Sequence, residues 1–358
     1  MNKLFEIIRF ETAQRGVLSF ARFMELALYC PNYGYYELQK DNPGRRGDFY
    51  TNVSTGELFG QLLGFQFAGW LESEVGSWKS EIRIVEAGAH DGKLAKDILN
   101  WLQLQRPALF EQIEYLIIEP STRRQEWQRE TLKQFAPHIR WVESLSAIHD
   151  SRCNGIIFSN ELLDAMPVHR FGWDVKNKKW FEWGVAVEGE KFAWTKIPAS
   201  DFRPPTSELE SVLPDNYTIE TSPAAENWWR AAANVLAGGR LLTIDYGLTG
   251  DELFSPTRVR GTLRAYFRHH ASDDLLANAG AQDLTAHVNF SAIQTAGEAA
   301  GLTTESFLTQ PQFLTQILGK ALPDKNFGEW SARRTRQFQT LTHPEHLGRA
   351  LRVLVQSR

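Results

Sequence analysis

A doubly wound α/β fold, with a largely parallel sheet and helices on both faces, is predicted for this 358-residue chain by three observations. First, the apolar run Ile82-Arg83-Ile84-Val85 closes on Glu86 and enters Ala87-Gly88-Ala89-His90-Asp91-Gly92, with helix-forming residues from Lys93 onward. Second, strands near 82–86, 113–119, 139–143 and 154–159 alternate with helices near 93–104 and 121–135. Third, Arg240-Leu241-Leu242-Thr243-Ile244-Asp245-Tyr246-Gly247 reads as a further buried strand that returns the chain to the same sheet.

In order along the chain, residues 1–80 read as a helical cap: Phe20 to Tyr29 is amphipathic, Pro31 to Thr55 is an irregular loop, and Leu58 to Glu74 is helical again. The core is expected over 81–170 and 236–358, interrupted by a β-rich insertion over 171–235. Within the insertion, Trp173 to Trp194 alternates apolar and polar residues around Asn177-Lys178 and Glu188-Gly189, the pattern of hairpins. A helix follows Pro223 and is expected to end at Gly238-Gly239. Residues 250–289 show few clear elements, and a loop of that length is either disordered or functional, the functional reading being favoured. Helices are expected near 290–300, 310–318 and 325–341, and Leu351-Arg352-Val353-Leu354-Val355 as a final edge strand.

Composition removes several classes. With 42% hydrophobic residues the chain is globular, and 39 Lys+Arg against 43 Asp+Glu leave a charge of -4, which argues against nucleic acid as a partner. Two cysteines exclude a disulfide framework and a four-cysteine zinc site, no metal centre is indicated, and a reducing compartment fits. The first residues, Met1-Asn2-Lys3-Leu4-Phe5-Glu6, read as neither signal peptide nor membrane span, and no Arg-rich transit segment is evident; a bacterial cytoplasm is the expected location. The twelve tryptophans are scattered, most of them candidates for the core, and exposed aromatics leave a homodimer contact open.

Three clusters carry chemistry. At the end of a buried parallel strand, a loop without side-chain bulk lets backbone amides and a helix N-terminus approach a ligand, and Gly88 and Gly92 supply that closeness. The spacing is G-x-x-x-G with His90 inside it, so the dinucleotide fingerprint is absent and a nicotinamide oxidoreductase is disfavoured. An S-adenosylmethionine (SAM) loop fits better, with Glu86 facing a cationic part of the ligand. Glu119 closes the strand Tyr115-Leu116-Ile117-Ile118 where doubly wound folds place a ribose-binding carboxylate; capping of the helix at Ser121 is its structural alternative. The strand ending Phe158-Ser159 delivers Asn160, Glu161 and Asp164 to the ligand-binding face, before Pro167 cuts the helix short. The third cluster, Gly44-Arg45-Arg46-Gly47-Asp48-Phe49-Tyr50-Thr51-Asn52, reads by itself as a solvated loop.

Taken together, Phe23-Met24-Glu25-Leu26-Ala27-Leu28-Tyr29, Gly34-Tyr35-Tyr36, Gly47-Asp48-Phe49-Tyr50-Thr51, Leu58-Phe59-Gly60, Asn160-Glu161-Leu162-Leu163-Asp164-Ala165-Met166-Pro167-Val168, Asp245-Tyr246-Gly247, Gly261-Thr262-Leu263-Arg264-Ala265-Tyr266 and Asp283-Leu284-Thr285-Ala286-His287-Val288-Asn289-Phe290-Ser291 form an ordered series. With it the chain resembles, over nearly its whole length, the MidA-type class I SAM-dependent methyltransferases, a family that includes the mitochondrial protein arginine methyltransferase of complex I assembly. The resemblance implies a Rossmann-like sheet, SAM as cofactor, and a protein arginine acceptor, a respiratory-complex subunit among the options. It also implies that the Gly-Asp-Phe loop folds over the cofactor, making Asp48 and Thr51 cofactor-side residues beside Glu86, Gly88, Gly92, Glu119 and Asn160. The chain departs from the family at Ala89 and His90, where a Pro-Gly pair is usual, at Asn52-Val53-Ser54 in place of Ser-Pro-Glu, and at Asn289 in place of Asp.

Methyl transfer from a sulfonium is an in-line displacement that needs alignment and dryness. For an arginine acceptor, carboxylates must hold the guanidinium, and Glu161 and Asp164 are the candidates, with His287 as proton acceptor. A non-catalytic assembly protein that keeps the same fold is the competing reading.

Overall fold

The computed structural model describes residues 3–38, 51–74, 82–148, 153–199, 210–267, 270–348 and 350–358. The chain divides into two compact units: Met1–Asn42 with Leu163–Asn227 and Gly247–Ile293, and Pro43–Leu162 with Trp228–Tyr246 and Gln294–Arg358.

The second unit carries the expected doubly wound sheet. Its strands run Thr303–Thr309, Leu351–Ser357, Leu236–Leu248, Cys153–Asn160, Ile82–Ala87, Ile113–Ile118, Ile139–Val142 across the sheet. The last five in that order are mutually parallel, whereas Leu351–Ser357 is antiparallel to both of its neighbours. The order reverses between the Ile82 and Cys153 strands: from Ile82 the chain winds outward to Ile113 and Ile139, and from Cys153 outward the other way to Leu236. Such a switch point opens a crevice at the carboxyl ends of the two central strands. All six residues of Ile82–Ala87 are buried, as continuous apolar runs in two-sided parallel sheets require. Helix Lys93–Gln105 buries Leu94, Ala95, Ile98, Leu99, Trp101 and Leu102, a stripe at helical spacing, and helix Leu58–Glu74 joins it in the same core.

The sequence placed the strands Ile82–Ala87, Ile113–Ile118, Ile139–Val142, Cys153–Asn160 and Leu351–Ser357 and the helices Phe20–Tyr29, Leu58–Glu74 and Lys93–Gln105 within a residue or two, and began the Leu236–Leu248 strand four residues late. Four expectations are corrected. Gly238-Gly239 does not end a helix: the helix is Pro223–Val235 and the glycines lie inside the following strand. There Gly239 has φ 112° and pairs with Gly155, φ 137°, which pairs in turn with Arg83; a Cβ on Gly239 would fall on the Gly155 carbonyl, and one on Gly155 on the Arg83 carbonyl. Leu351–Ser357 is an interior strand, because Thr303–Thr309, whose polar residues hide it in the sequence, pairs on its outer side. The helix expected at 325–341 begins only at Ala332, where Ser331 caps it. Residues 250–289 hold a short helix, Gly250–Leu253, and the strands Arg264–Phe267, His270–Ser272 and Asp283–Thr285, each too short to show a period.

The first unit is built on an antiparallel sheet in the order Leu18–Ser19, Lys179–Glu188, His169–Asp174, Thr218–Thr221, with Lys191–Pro198 also paired to Lys179–Glu188. Both expected hairpins form: Lys178 (φ 50°) turns the first, where Asp174 accepts from the Asn177 amide, and Gly189 (φ 62°) turns the second. The N-terminal segment supplies helices Lys3–Arg15 and Phe20–Tyr29 to this unit's core and, beyond the helices expected, the two-residue strand Leu18–Ser19.

Candidate cofactor and acceptor site

Glu86 is the next-to-last residue of the Ile82–Ala87 strand and is 2% exposed. The Tyr115 hydroxyl of the adjacent strand donates to its Oε2 at 2.7 Å. Burial dominates, with the Asp91 charge adding to it, and the carboxyl is pushed up to about 8 despite the Tyr115 bond. This buried acid is only partly neutralised by its protein surroundings.

The loop after it turns on three left-handed residues, Gly88 (φ 78°), His90 (φ 47°) and Gly92 (φ 83°), and the Gly92 amide closes onto the Ala89 carbonyl at 2.7 Å. A Cβ on Gly88 would meet Leu162 at 3.0 Å, and one on Gly92 would meet Leu132 at 2.9 Å. The glycines therefore let the loop lie against neighbouring segments as well as keeping it open. Gly92 is the N-cap of helix Lys93–Gln105, and Asp91 just before it accepts from the Lys93 amide at 3.0 Å. Burial pushes the Asp91 carboxyl up, but the His90 imidazole together with the Lys93 amide and charge outweighs it and holds the group below the usual carboxylate range.

Glu119 is 1% exposed and is surrounded by donors. Its Oε1 accepts from the Ser121 amide at 2.9 Å and faces the Arg124 guanidinium at 3.0 Å, and its Oε2 accepts from Gln128 Nε2 at 3.0 Å. Gln128, itself fully buried, also donates to the His90 carbonyl at 3.0 Å and accepts from Trp141 Nε1 at 2.9 Å. The ends of the first and second strands are thus joined through one amide side chain. Sequence reasoning named both acids and missed Gln128, which looks like an ordinary helix residue.

The end of the Cys153 strand is the most tightly wired point. Glu161 adopts φ 53°, a left-handed conformation costly for a residue with a Cβ, and its amide donates to the Ile244 carbonyl at 2.9 Å. Its Oε1 accepts from the Asn52 backbone amide at 3.0 Å and from Asn160 Nδ2 at 3.1 Å. Its Oε2 is buried with no hydrogen-bond partner among the described residues. Burial pushes the carboxyl up to about 7, the Asn52 and Asn160 donors pulling against it and the Asp245 charge adding to it. Asp245, fully buried, accepts from the Leu162 and Tyr246 amides. Thr51 sits in the same segment as Asn52, its carbonyl accepting from Ser54 Oγ at 2.7 Å. Asp48 lies outside the described residues.

Glu86, Gly88, Gly92, Glu119, Asn160, Glu161 and Thr51 therefore all belong to one unit. Asp164 and His287 belong to the other. Asp164 is 6% exposed, and its carbonyl accepts from the Ala286 amide at 2.9 Å. The His287 amide donates to Thr262 Oγ1 at 3.1 Å, and the Thr262 amide donates to Glu220 Oε2 at 2.8 Å. Burial pushes the Glu220 carboxyl up against the opposing charge of Arg170. Glu220, Thr221, Ser222, Glu226, His287 and Asn289 are the polar residues around a cavity of about 20 Å³, room for a water-sized group.

A switch-point crevice, an open glycine loop after the first strand and an acid at the tip of each of the first two strands define a Rossmann-like class I methyltransferase that uses SAM. The family model for S-adenosyl-L-methionine-dependent methyltransferases matches residues 62–308, and the chain belongs to that MidA-type family. It is similar to a Burkholderia thailandensis protein solved with S-adenosyl-homocysteine bound: TM-score 0.86, 32% identity, covering 99% of this chain and 92% of that one. A native structure from the same organism gives TM-score 0.83 and 30% identity over 99% and 91% of the two chains. Among curated relatives, the Drosophila melanogaster protein named as the mitochondrial protein arginine methyltransferase NDUFAF7 homolog is 28% identical, covering 97% of this chain and 83% of its own length. The Danio rerio protein arginine methyltransferase NDUFAF7 is 27% identical over 93% and 82%. Among the described residues no helix is long and apolar enough to cross a membrane.

Proposed function

We propose that this methyltransferase modifies an arginine of a protein, with Glu161 as the carboxylate that receives the guanidinium. The observation that carries the reading is the asymmetry of that side chain: two donors hold Oε1, while the buried Oε2 has no partner among the described residues. An unsatisfied carboxylate oxygen at this depth costs about 1–3 kcal/mol, and a left-handed residue adds to the strain; such expense is typical of a group kept ready for a ligand. The names of the curated relatives support arginine as the residue type.

The cofactor-side residues follow from the same geometry. Glu86 would face the positively charged amino-acid end of SAM, with Gly88 and Gly92 leaving the loop open beside it, and Glu119, at the tip of the next strand, would take the ribose hydroxyls. Asn160, bonded to Glu161 Oε1, and Thr51, next in the chain to the Asn52 that bonds the same oxygen, would complete that side. When bound, SAM supplies the methyl group as a sulfonium leaving-group system. Glu161 Oε2 orients a guanidinium N–H and accepts the proton given up when that nitrogen is methylated, a role suited to a carboxyl held at about 7. Asp164 and His287, in the other unit, are tested singly for the acceptor roles that the sequence suggests by Asp164→Asn and His287→Gln. The two thiols, Cys30 and Cys153, are buried and unbridged, which supports a reducing compartment such as a bacterial cytoplasm.

Incubation of the protein with methyl-labelled SAM and a lysate of its native cell, followed by mass spectrometry of labelled species, is the test. Labelled methylarginine that disappears with Glu161→Gln is the expected result. Label confined to lysine, carboxyl groups or small molecules would overturn the arginine assignment.

A further inference from the structure

Asn52 and Gln310 are both fully buried and bonded to each other twice: Asn52 Nδ2 donates to Gln310 Oε1 at 2.8 Å, and Gln310 Nε2 donates to Asn52 Oδ1 at 2.9 Å. The pair is anchored, because Gln310 Nε2 also donates to the Leu341 carbonyl at 2.9 Å, and Gln310 opens a helix fixed by the Thr309 capping box. It is also connected outward. Asn52 Nδ2 donates to Asn160 Oδ1 at 3.1 Å, which turns the Asn160 Nδ2 toward Glu161 Oε1, and the Asn52 backbone amide donates to that same oxygen. Each amide in this row has its orientation dictated by the previous one, from the Leu341 carbonyl to the Glu161 carboxylate.

We propose that the Asn52–Gln310 amide pair is a positioning device for methyl transfer, fixing Asn160 and the Asn52 amide on Glu161 Oε1 so that Oε2 alone is presented to the acceptor. The inference rests on the reading of Glu161 given above. A pair that merely filled the core would not need two buried amides with a directed polarity, since apolar side chains of similar shape serve that purpose at less desolvation cost. Among the described residues, the side chains of Thr51, Ser54 and Thr55 bond only within the segment 51–55, which leaves Asn52 as its side-chain anchor.

The test is a pH titration of the Glu161 carboxyl by NMR on the intact protein with ¹³C-labelled glutamate, the resonance assigned by its loss in Glu161→Gln. It is paired with the rate of label transfer from SAM to lysate protein, and S-adenosylhomocysteine affinity serves as the folding control. Gln310→Leu removes both bonds to Asn52. It should raise the Glu161 midpoint by about one unit, because donors to the carboxylate favour its charged form, and slow transfer by about tenfold or more. Asp245, the other acid acting on Glu161, is unchanged in the variant. Asn52→Gln combined with Gln310→Asn, which restores an amide pair of the same total length, should return both readouts toward wild type. Should Gln310→Leu fail to bind S-adenosylhomocysteine, Gln310→Met is read the same way, since it removes the acceptor for Asn52 Nδ2 and both Nε2 donations without adding a charge. A folded variant with unchanged midpoint and rate, alongside an inactive Glu161→Gln, overturns the positioning role alone. Full activity of Glu161→Gln instead overturns the reading of Glu161 itself.

Discussion

Glu86 and Glu119 close neighbouring parallel strands at nearly the same depth, 2% and 1% exposed, yet the protein treats them oppositely. Glu119 is met by a backbone amide, a guanidinium and a side-chain amide, so its charge is compensated within the unit. Glu86 receives one phenolic hydroxyl and lies near a second acid, so its neutral form persists up to about pH 8. Depth alone does not say whether a buried carboxylate is structural or waiting for a cation. The count and charge of its donors do, and by that measure Glu161 belongs with Glu86.

The comparison breaks first at Glu86. The native carboxyl titrates above its ordinary value of 4.5, so between pH 4.5 and about 8 the folded state binds more protons than the unfolded one and stability falls as pH rises. The contribution of the neutral acid is complete below 4.5 and is lost as pH passes about 8. Above that pH, Glu86→Gln, whose amide oxygen still accepts from Tyr115, should be more stable than wild type by about 5 kcal/mol, about 1.4 kcal/mol for each pH unit between 4.5 and about 8. At pH 4 the two should melt together. Arg124→Met should act in the opposite direction. Removing one partner of a buried ion pair strands the other charge, so this substitution should destabilise the protein by about 3 kcal/mol. Urea denaturation at pH 7 measures this, and a loss below about 1 kcal/mol would mean that Glu119 does not depend on the guanidinium.

A smaller effect sharpens the same contrast through the ligand. If Glu86 must ionise to meet a cation, SAM affinity should rise by roughly tenfold per pH unit below about 8 and level off above it, each tenfold being about 1.4 kcal/mol. Calorimetric titrations at pH 6, 7 and 8 measure the slope. Binding at pH 7 should also release a proton, visible as a difference in heat between phosphate and Tris buffers. Glu86→Gln should bind more weakly at pH 8 and show neither the slope nor the proton; a slope retained in that variant would place the titrating group elsewhere.

The sequence made these strand ends legible because their signals are local: apolar runs closing on acids, then glycines, repeat at intervals that a doubly wound sheet demands. Glu86, Glu119 and Glu161 were each visible as the first acid after a buried run. What distinguishes them was not visible, since Tyr115, Arg124 and Gln128 occupy unremarkable strand and helix positions, and Gln310 meets Asn52 across 258 residues. Gly238-Gly239 misled for the same reason. A glycine pair after a helix has a local meaning, and only the close approach to Gly155 on the next strand reveals the one that applies here. The Thr303–Thr309 strand escaped notice because its residues are partly exposed and polar, which removed the alternation that would have marked it.

His90 makes the finest test, because it separates the backbone of the glycine loop from its side chains. With φ 47° it spends on the order of 1 kcal/mol in left-handed strain that glycine would not incur. His90→Gly relieves that strain but adds backbone freedom to the unfolded chain, a loss of similar size, so its stability should stay within about 1 kcal/mol of wild type. The His90 carbonyl, the group that Gln128 uses to tie the loop toward Glu119, survives the substitution. SAM affinity within about twofold of wild type is therefore expected for His90→Gly, whereas Gln128→Leu, which cuts the tie and strips one donor from Glu119, should weaken binding several-fold more. A large loss in His90→Gly instead would assign ligand contact to the imidazole, and the side chain that departs most from the family's glycine loop would then be part of how this chain holds its cofactor.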